Sequence, residues 1–210
     1  YAWSQNQIFD PLNPQGNGSN HPHEKRIPTV VIDYTLPVWN RESVRFWQAR
    51  VACVTLSPEQ TLKEQRALFT DKTSEDTPMQ FEKIIYGYIP LMFCANCICK
   101  TQGSCKQEQS PINSRHTNTK LTDRLGVNFP VVTRCDLCFN ILYNSVVLYL
   151  PKAIVADDAV TKRISFTIEN EAQTLEVLQN ILYDKMNSTS PDNPTWMPKH
   201  TTAHEYKPVV

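Results

Sequence analysis

From Thr29 onward, short apolar runs alternate with stretches of helical texture. Thr29-Val30-Val31-Ile32 is continuous, β-branched and preceded by Pro28, and reads as a buried strand. Asn40 to Gln48 reads as a short helix with Val44, Phe46 and Trp47 turned inward, and Trp39 joins them as core rather than as a stacking surface. Cys53-Val54-Thr55-Leu56 is a second strand. The next helix is expected to start at Ser57 as N-cap, with Pro58 in the first turn and Gln60 closing a capping box, and to run to about Leu68. Lys83 to Met92 is the third and most hydrophobic strand. Two extended runs around Gly126, from Leu121 to Val132, predict a hairpin. Val146 to Leu150 is extended again, Pro151 to Asp158 is a short helix, and Arg163-Ile164-Ser165-Phe166-Thr167 is a further strand. Asn170 and Gln173 are placed to cap the helix behind it, whose Ala172, Leu175, Leu178, Ile181 and Leu182 form a core-facing stripe.

Strands separated by helices predict right-handed βα units and a parallel sheet in an α/β fold. About four such units can be counted, against the eight strands and roughly 250 residues of a closed barrel. The expected architecture is therefore a partial, half TIM-type barrel with a cysteine-rich loop insertion. Open edges predict a partner, either a missing N-terminal half or another protein chain. The organisation is a flexible arm over 1–28, rich in Asn, Pro and Gly with His21 and His23, a βα module over 29–186, and an irregular tail over 187–210. The first residue is Tyr1 rather than Met, which predicts a piece of something longer.

Composition changes this picture little: 40% hydrophobic and 20% charged residues describe an ordinary globular protein, and a formal net charge of zero advertises neither nucleic acid nor an anionic membrane. No apolar run is long enough to cross a bilayer and no basic leader opens the chain, so a cytoplasmic location without membrane contact is expected. Cysteine changes the picture more. Six of the seven lie between Cys94 and Cys138, bunched rather than spread as loop-closing pairs, which favours metal or redox chemistry over disulfides. Cys135-x-x-Cys138 is a compact chelating pair, and Cys97 with Cys105 offers a second from a loop containing Gly103. Four thiolates hold either zinc or an iron–sulfur cluster, and spacing alone does not choose between them. Cys53, inside a strand, reads as core. Six basic residues against two acidic ones from Lys100 to Arg134 make a locally basic segment suited to RNA or a small anionic substrate.

Several segments then share one likeness. Tyr86-Gly87-Tyr88-Ile89-Pro90-Leu91-Met92 followed by Cys97, Leu121-Thr122-Asp123-Arg124-x-Gly126-x-x-Phe129-Pro130-Val131, Cys135-x-x-Cys138, Ile141-x-Tyr143-Asn144-Ser145 and Arg163-Ile164-Ser165-Phe166-Thr167-x-Glu169 resemble, in order, the peptidase U32 family of collagenase-like proteins. The closest likeness is to the C-terminal module of its long members. Asp33 to Trp47 and Thr55-Leu56-Ser57-Pro58-Glu59 fit the strands before these motifs, so the likeness spans about Thr29 to Lys185. The resemblance implies a βα barrel-type fold and a four-iron, four-sulfur cluster on Cys97, Cys105, Cys135 and Cys138, with Cys94 and Cys99 as extras. It also implies either proteolysis, as the family name has it, or oxygen-independent hydroxylation of RNA or a related substrate. Lys100, Arg124 and Arg134 would then position that substrate. Zinc is the alternative metal, and a non-catalytic module completing another barrel is the alternative role. The chain has neither Gly-x-Ser-x-Gly nor His-Glu-x-x-His, and for proteolysis Cys94 or Cys99 with His116, His200 or His204 is the conceivable pair, so no catalytic residue is assigned. Where the family closes with Thr-x-Gly-His, this chain has Thr202-Ala203-His204-Glu205 without the glycine.

Overall fold

The computed structural model describes residues 30–48, 50–69, 79–96, 98–103, 115–135, 137–155, 160–187, 194–197 and 199–207; the expected arm with His21 and His23 lies outside them, as do Cys97 and Cys105. In chain order the first elements are β1 (Val31–Ile32), α1 (Arg41–Gln48), β2 (Cys53–Thr55), α2 (Leu62–Phe69) and β3 (Gln80–Gly87). Next come β4 (Pro90–Cys94), α3 (Ile98–Thr101), β5 (Arg115–Thr122), β6 (Asn128–Arg134) and β7 (Phe139–Tyr143). The chain ends with β8 (Val147–Tyr149), α4 (Pro151–Val155), β9 (Val160–Ser165), α5 (Glu171–Asn187) and β10 (His200–Thr201).

The fold is mixed α/β, with one largely parallel sheet and one antiparallel sheet. β1, β2, β3 and β9 run parallel in that order. β9 follows one edge of β3 from Phe81 to Gly87, so β2 and β8 must divide the other edge between them. β8 enters antiparallel and carries β10 parallel on its far side. The βα alternation predicted over residues 29–186 is therefore present, but no closed barrel forms among the described residues. The insertion between β3 and β8 is not a loop. It is a four-stranded antiparallel sheet ordered β4-β7-β6-β5, because alternating strands closed by tight turns satisfy the backbone without further helices.

Local chemistry explains most element boundaries. Asn40 caps α1 by accepting from the Ser43 amide at 2.9 Å. The helix expected at Ser57 begins later: Ser57 Oγ accepts from the Glu59 amide in a turn, and the capping box is formed by Thr61 and Glu64. The single strand expected from Lys83 to Met92 breaks after Gly87, and Ile89 accepts from the Asn144 amide outside either ladder. The predicted hairpin forms with Gly126 at φ 81° and Asp123 Oδ1 accepting from the Leu125 and Val127 amides.

Two clusters make up the core. Ile32, Val54, Leu56, Phe81 and Val160 meet Val44 of α1 and Leu68 of α2 on one face of the parallel sheet. Trp39 and Phe46, expected inside, are exposed, because Val44 and the half-buried Trp47 supply the contact face of α1. The second cluster packs Ile84, Ile85, Tyr86 and β8 against Val177 and Ile181 of α5. The stripe expected on α5 is rotated: of its five residues only Ile181 is buried, while Leu175 and Leu182 lie outside. The reason is polar. Buried Asp184 accepts from the Tyr149 hydroxyl at 3.2 Å, and that bond turns Val177, Ile181 and Asp184 inward.

The described residues after α5 are docked on the rest of the chain. Trp196 packs edge-on to Tyr149 with ring centroids 5.1 Å apart, and Glu205 accepts from the Leu62 amide at 2.9 Å. No helix among the described residues is long and apolar enough to cross a membrane.

Candidate functional site

In parallel sheets the loops leaving the carboxyl ends of the strands converge, and ligands bind there. Here the segments after β1, β2, β3 and β10 meet Asn144, just before β8, around a groove of about 650 Å³ lined by Tyr34, Trp39, Ser57, Glu59, Ile89, Leu91, Asn144 and His204, among others. Segments spread over much of the chain thus converge on one place.

A charged cluster on the parallel strands adjoins the groove in sequence at Tyr34, without lining it. Arg163 Nη1 on β9 lies 2.8 Å from Asp33 Oδ1 and 3.0 Å from Glu82 Oε1 on β3, and Thr55 on β2 donates to the same Glu82 oxygen at 2.5 Å. One guanidinium thereby ties four parallel strands together, a task suited to its planar, multiply donating shape. Asp33 immediately precedes Tyr34, so the cluster also fixes where the Tyr34 ring emerges. Burial, with the Asp33 charge behind it, pushes the Tyr34 phenol up to about 12, so it stays a neutral hydrogen-bond donor at physiological pH. His204 Nδ1 lies 3.2 Å from the Lys207 carbonyl, which can only accept, so Nδ1 is the donor in that contact.

The turn before His204 stores strain. Ala203 sits at φ 49°, a left-handed conformation natural to glycine. Ala203→Gly is expected to stabilise the chain by about 0.5–1 kcal/mol, the relief being partly offset by the freer unfolded chain. Chemical denaturation checks this: a higher midpoint at unchanged slope supports the strain, and a lower midpoint sinks it.

Of the described cysteines, Cys94 lies at the opposite end of β4. Pro90 lies at the groove and Cys94 four steps along the strand, about 13 Å away at the rise of a β-strand. In register, Cys94 faces Asn140 on β7, and Asn140 faces Thr133 on β6. Arg134 pairs with Phe139, so Cys135 and Cys138 lie in the turn that joins β6 to β7. Cys138 takes φ 55°, and its thiol lies 3.8 Å from the Cys135 carbonyl. Cys99 is on the short α3, and Asn96, next to Cys97, accepts from Asn140 Nδ2 at 2.6 Å. Among the described residues no three His, Cys, Asp or Glu side chains come close enough to hold a metal.

Of the expected substrate-positioning residues, Lys100 on α3 and Arg134 at the end of β6 belong to the cysteine end. Arg124 does not. It lies in the turn before β6, whose far end at Arg134 is six residues, about 20 Å, from Asn128. Cys53 is buried as expected, and burial pushes its thiol up, so it is an inert core residue. Tyr34 and Asn144 were not singled out as site residues by their sequence context, Trp39 was expected in the core, and His204 was named only as a conceivable partner of Cys94 or Cys99.

Comparison with family models, with curated proteins and with solved structures finds no match to this chain.

Proposed function

We propose that this chain is a peptidase U32-like βα module whose antiparallel insertion carries an iron–sulfur cluster, and that it serves an enzyme hydroxylating RNA or a related substrate bound in the groove. The observation that carries this reading is the arrangement of the insertion, in which one strand, β4, runs from the groove to the cysteine end. Tyr34 and Trp39 offer ring faces on which a base can stack, and Asn144 and His204 supply polar edges.

The residues present fit a thiolate-held group. Thr133 Oγ1 and Asn140 Oδ1, paired in register next to the turn that carries Cys135 and Cys138, are buried with no hydrogen-bond partner among the described residues. A hydroxyl there is placed to donate to a thiolate or a bridging sulfide, the outer-shell contact such centres use to tune charge. Cys97, Cys105, Cys135 and Cys138 would hold the cluster, which when bound supplies one-electron redox chemistry. Zinc in the same ligands is the alternative, and would make the insertion a structural support.

The half-barrel reading belongs here too. β1, β2, β3 and β9 are half the strands of an eight-stranded barrel. Among the described residues β9 pairs only with β3, and α5 beside it exposes Leu175, Leu182, Tyr183 and Met186. Further βα units, from the rest of a longer polypeptide or from another chain, would cover both.

The test is metal content and visible absorption after purification without oxygen. A brown protein with about four irons per chain is expected, and Cys135→Ser is expected to lose both colour and iron. Colourless protein with about one zinc would replace the redox reading with the structural one. Full iron loading of Cys135→Ser would overturn the ligand assignment.

A further inference from the structure

A second cavity, of about 360 Å³, opens between the end of β3, the turn after β9 and the first turns of α5. Its walls include three aromatic rings, Tyr86, Tyr88 and Trp196, and two carboxylates, Glu169 and Glu176. Glu169 is fixed in place: one oxygen accepts from the Tyr86 hydroxyl at 3.0 Å, and the other from the amides of Thr167 and Ile168 at 2.7 and 3.0 Å. None of these donors carries a charge, so the negative charge of Glu169 is held but not neutralised. Glu176, a little over one turn into α5, is exposed and likewise has no ion pair among the described residues. Lys199 shares the wall but bridges to neither, and the cavity keeps a net charge of one negative unit over the three. The field is felt locally: burial, reinforced by Glu169, raises the phenols of both Tyr86 and Tyr88.

We propose that this cavity binds an organic cation of the methylated-ammonium type, with the aromatic faces around the alkylated head and Glu169 and Glu176 supplying the counter-charge. Ring quadrupoles and fixed carboxylates both favour a cation, and both disfavour an anion. A divalent metal is a poor match. Calcium or magnesium requires six or more oxygen ligands, and the oxygens of Glu169 are already engaged by three donors. A weakly hydrated alkylammonium sheds its water at little cost and needs ring faces rather than lone pairs. The inference is independent of the cysteines.

The experiment is calorimetric titration of the full chain with choline and, separately, with 3,3-dimethyl-1-butanol, its neutral carbon isostere. Choline is expected to bind at least about tenfold more tightly than the isostere. Glu176→Gln, at an exposed helix position that leaves the fold intact, is expected to weaken choline about fivefold and leave the isostere unchanged; Tyr88→Leu is expected to weaken choline by a similar factor. Equal affinity for the two probes, no heat with choline, or displacement of choline by calcium would each overturn the proposal.

Discussion

Replacing Lys83 with Met is expected to lower the stability of the fold by about 3–5 kcal/mol, because it leaves a buried carboxylate without its counter-charge. Lys83 is on β3 and its ammonium lies 2.5 Å from Glu205 Oε1, with side chains only 8% and 6% exposed. Around the pair are Leu56, Ile84, Leu148 and Leu150, so neither charge has water to fall back on. The double variant Lys83→Met, Glu205→Leu is expected to recover most of the loss, since an apolar pair of similar volume removes both desolvation penalties at once. Urea denaturation of the two single variants and the double completes the cycle. If the double variant is as unstable as the sum of the singles, the two residues act independently and the ion pair is not what holds the tail. The pair also has a functional consequence. Glu205 follows His204 directly, and its backbone carbonyl receives the Leu62 amide at 2.9 Å, so it anchors the turn that brings Ala203 and His204 to the groove. Loss of the pair is therefore expected to make the chain after Lys199 sensitive to protease before the rest unfolds.

What the sequence made legible follows from how local each signal was. Asn170 and Gln173 cap α5 reciprocally at 2.9 Å, and Asp123 with Gly126 closes the hairpin, because these contacts depend on residues a few positions apart. The parallel run of β1, β2, β3 and β9 was legible from alternation of strands and helices. The failures were all tertiary. Leu175 and Leu182 have the right spacing for a core stripe, yet α5 is rotated by one long-range bond from Tyr149 to Asp184. Ser57, Pro58 and Gln60 have the form of a helix start, but Gln60 is wholly buried, donating to the Val38 carbonyl at 3.1 Å, and that contact holds the segment in a turn until Thr61. The antiparallel order of the insertion was hidden in a polar, cysteine-rich stretch whose strands show no strong alternation. At the site, thiols announce themselves by type, whereas Tyr34 and Trp39 become site residues only through the convergence of loops distant in sequence.

Gly87 is the position where a single methyl group is expected to do the most harm to the groove. A Cβ built there would lie 2.6 Å from the Ser165 carbonyl oxygen and 3.0 Å from its Cβ, and the backbone φ of 154° is one that side chains rarely adopt. Both opposing atoms belong to β9, paired directly with Gly87, so relief requires the two central parallel strands to separate. Strain and overpacking together put the cost of Gly87→Ala at about 4 kcal/mol, a fall of roughly 10 °C in melting temperature for a chain of this size. Gly126→Ala is the matched control. It too has a positive φ, 81°, but nothing within 4 Å of the added carbon, so it is expected to cost only the conformational share, about 1 kcal/mol. Equal losses for the two would mean that β9 yields without resistance and that close packing at Gly87 is not a constraint. Unequal losses would tie the closeness of β3 and β9 to everything that hangs from their carboxyl ends. Tyr88 and Ile89 follow Gly87 into the cation cavity and the groove respectively, and Ile168 and Glu169 follow Ser165 into the cavity, so the same methyl that destabilises the sheet also moves the walls of both.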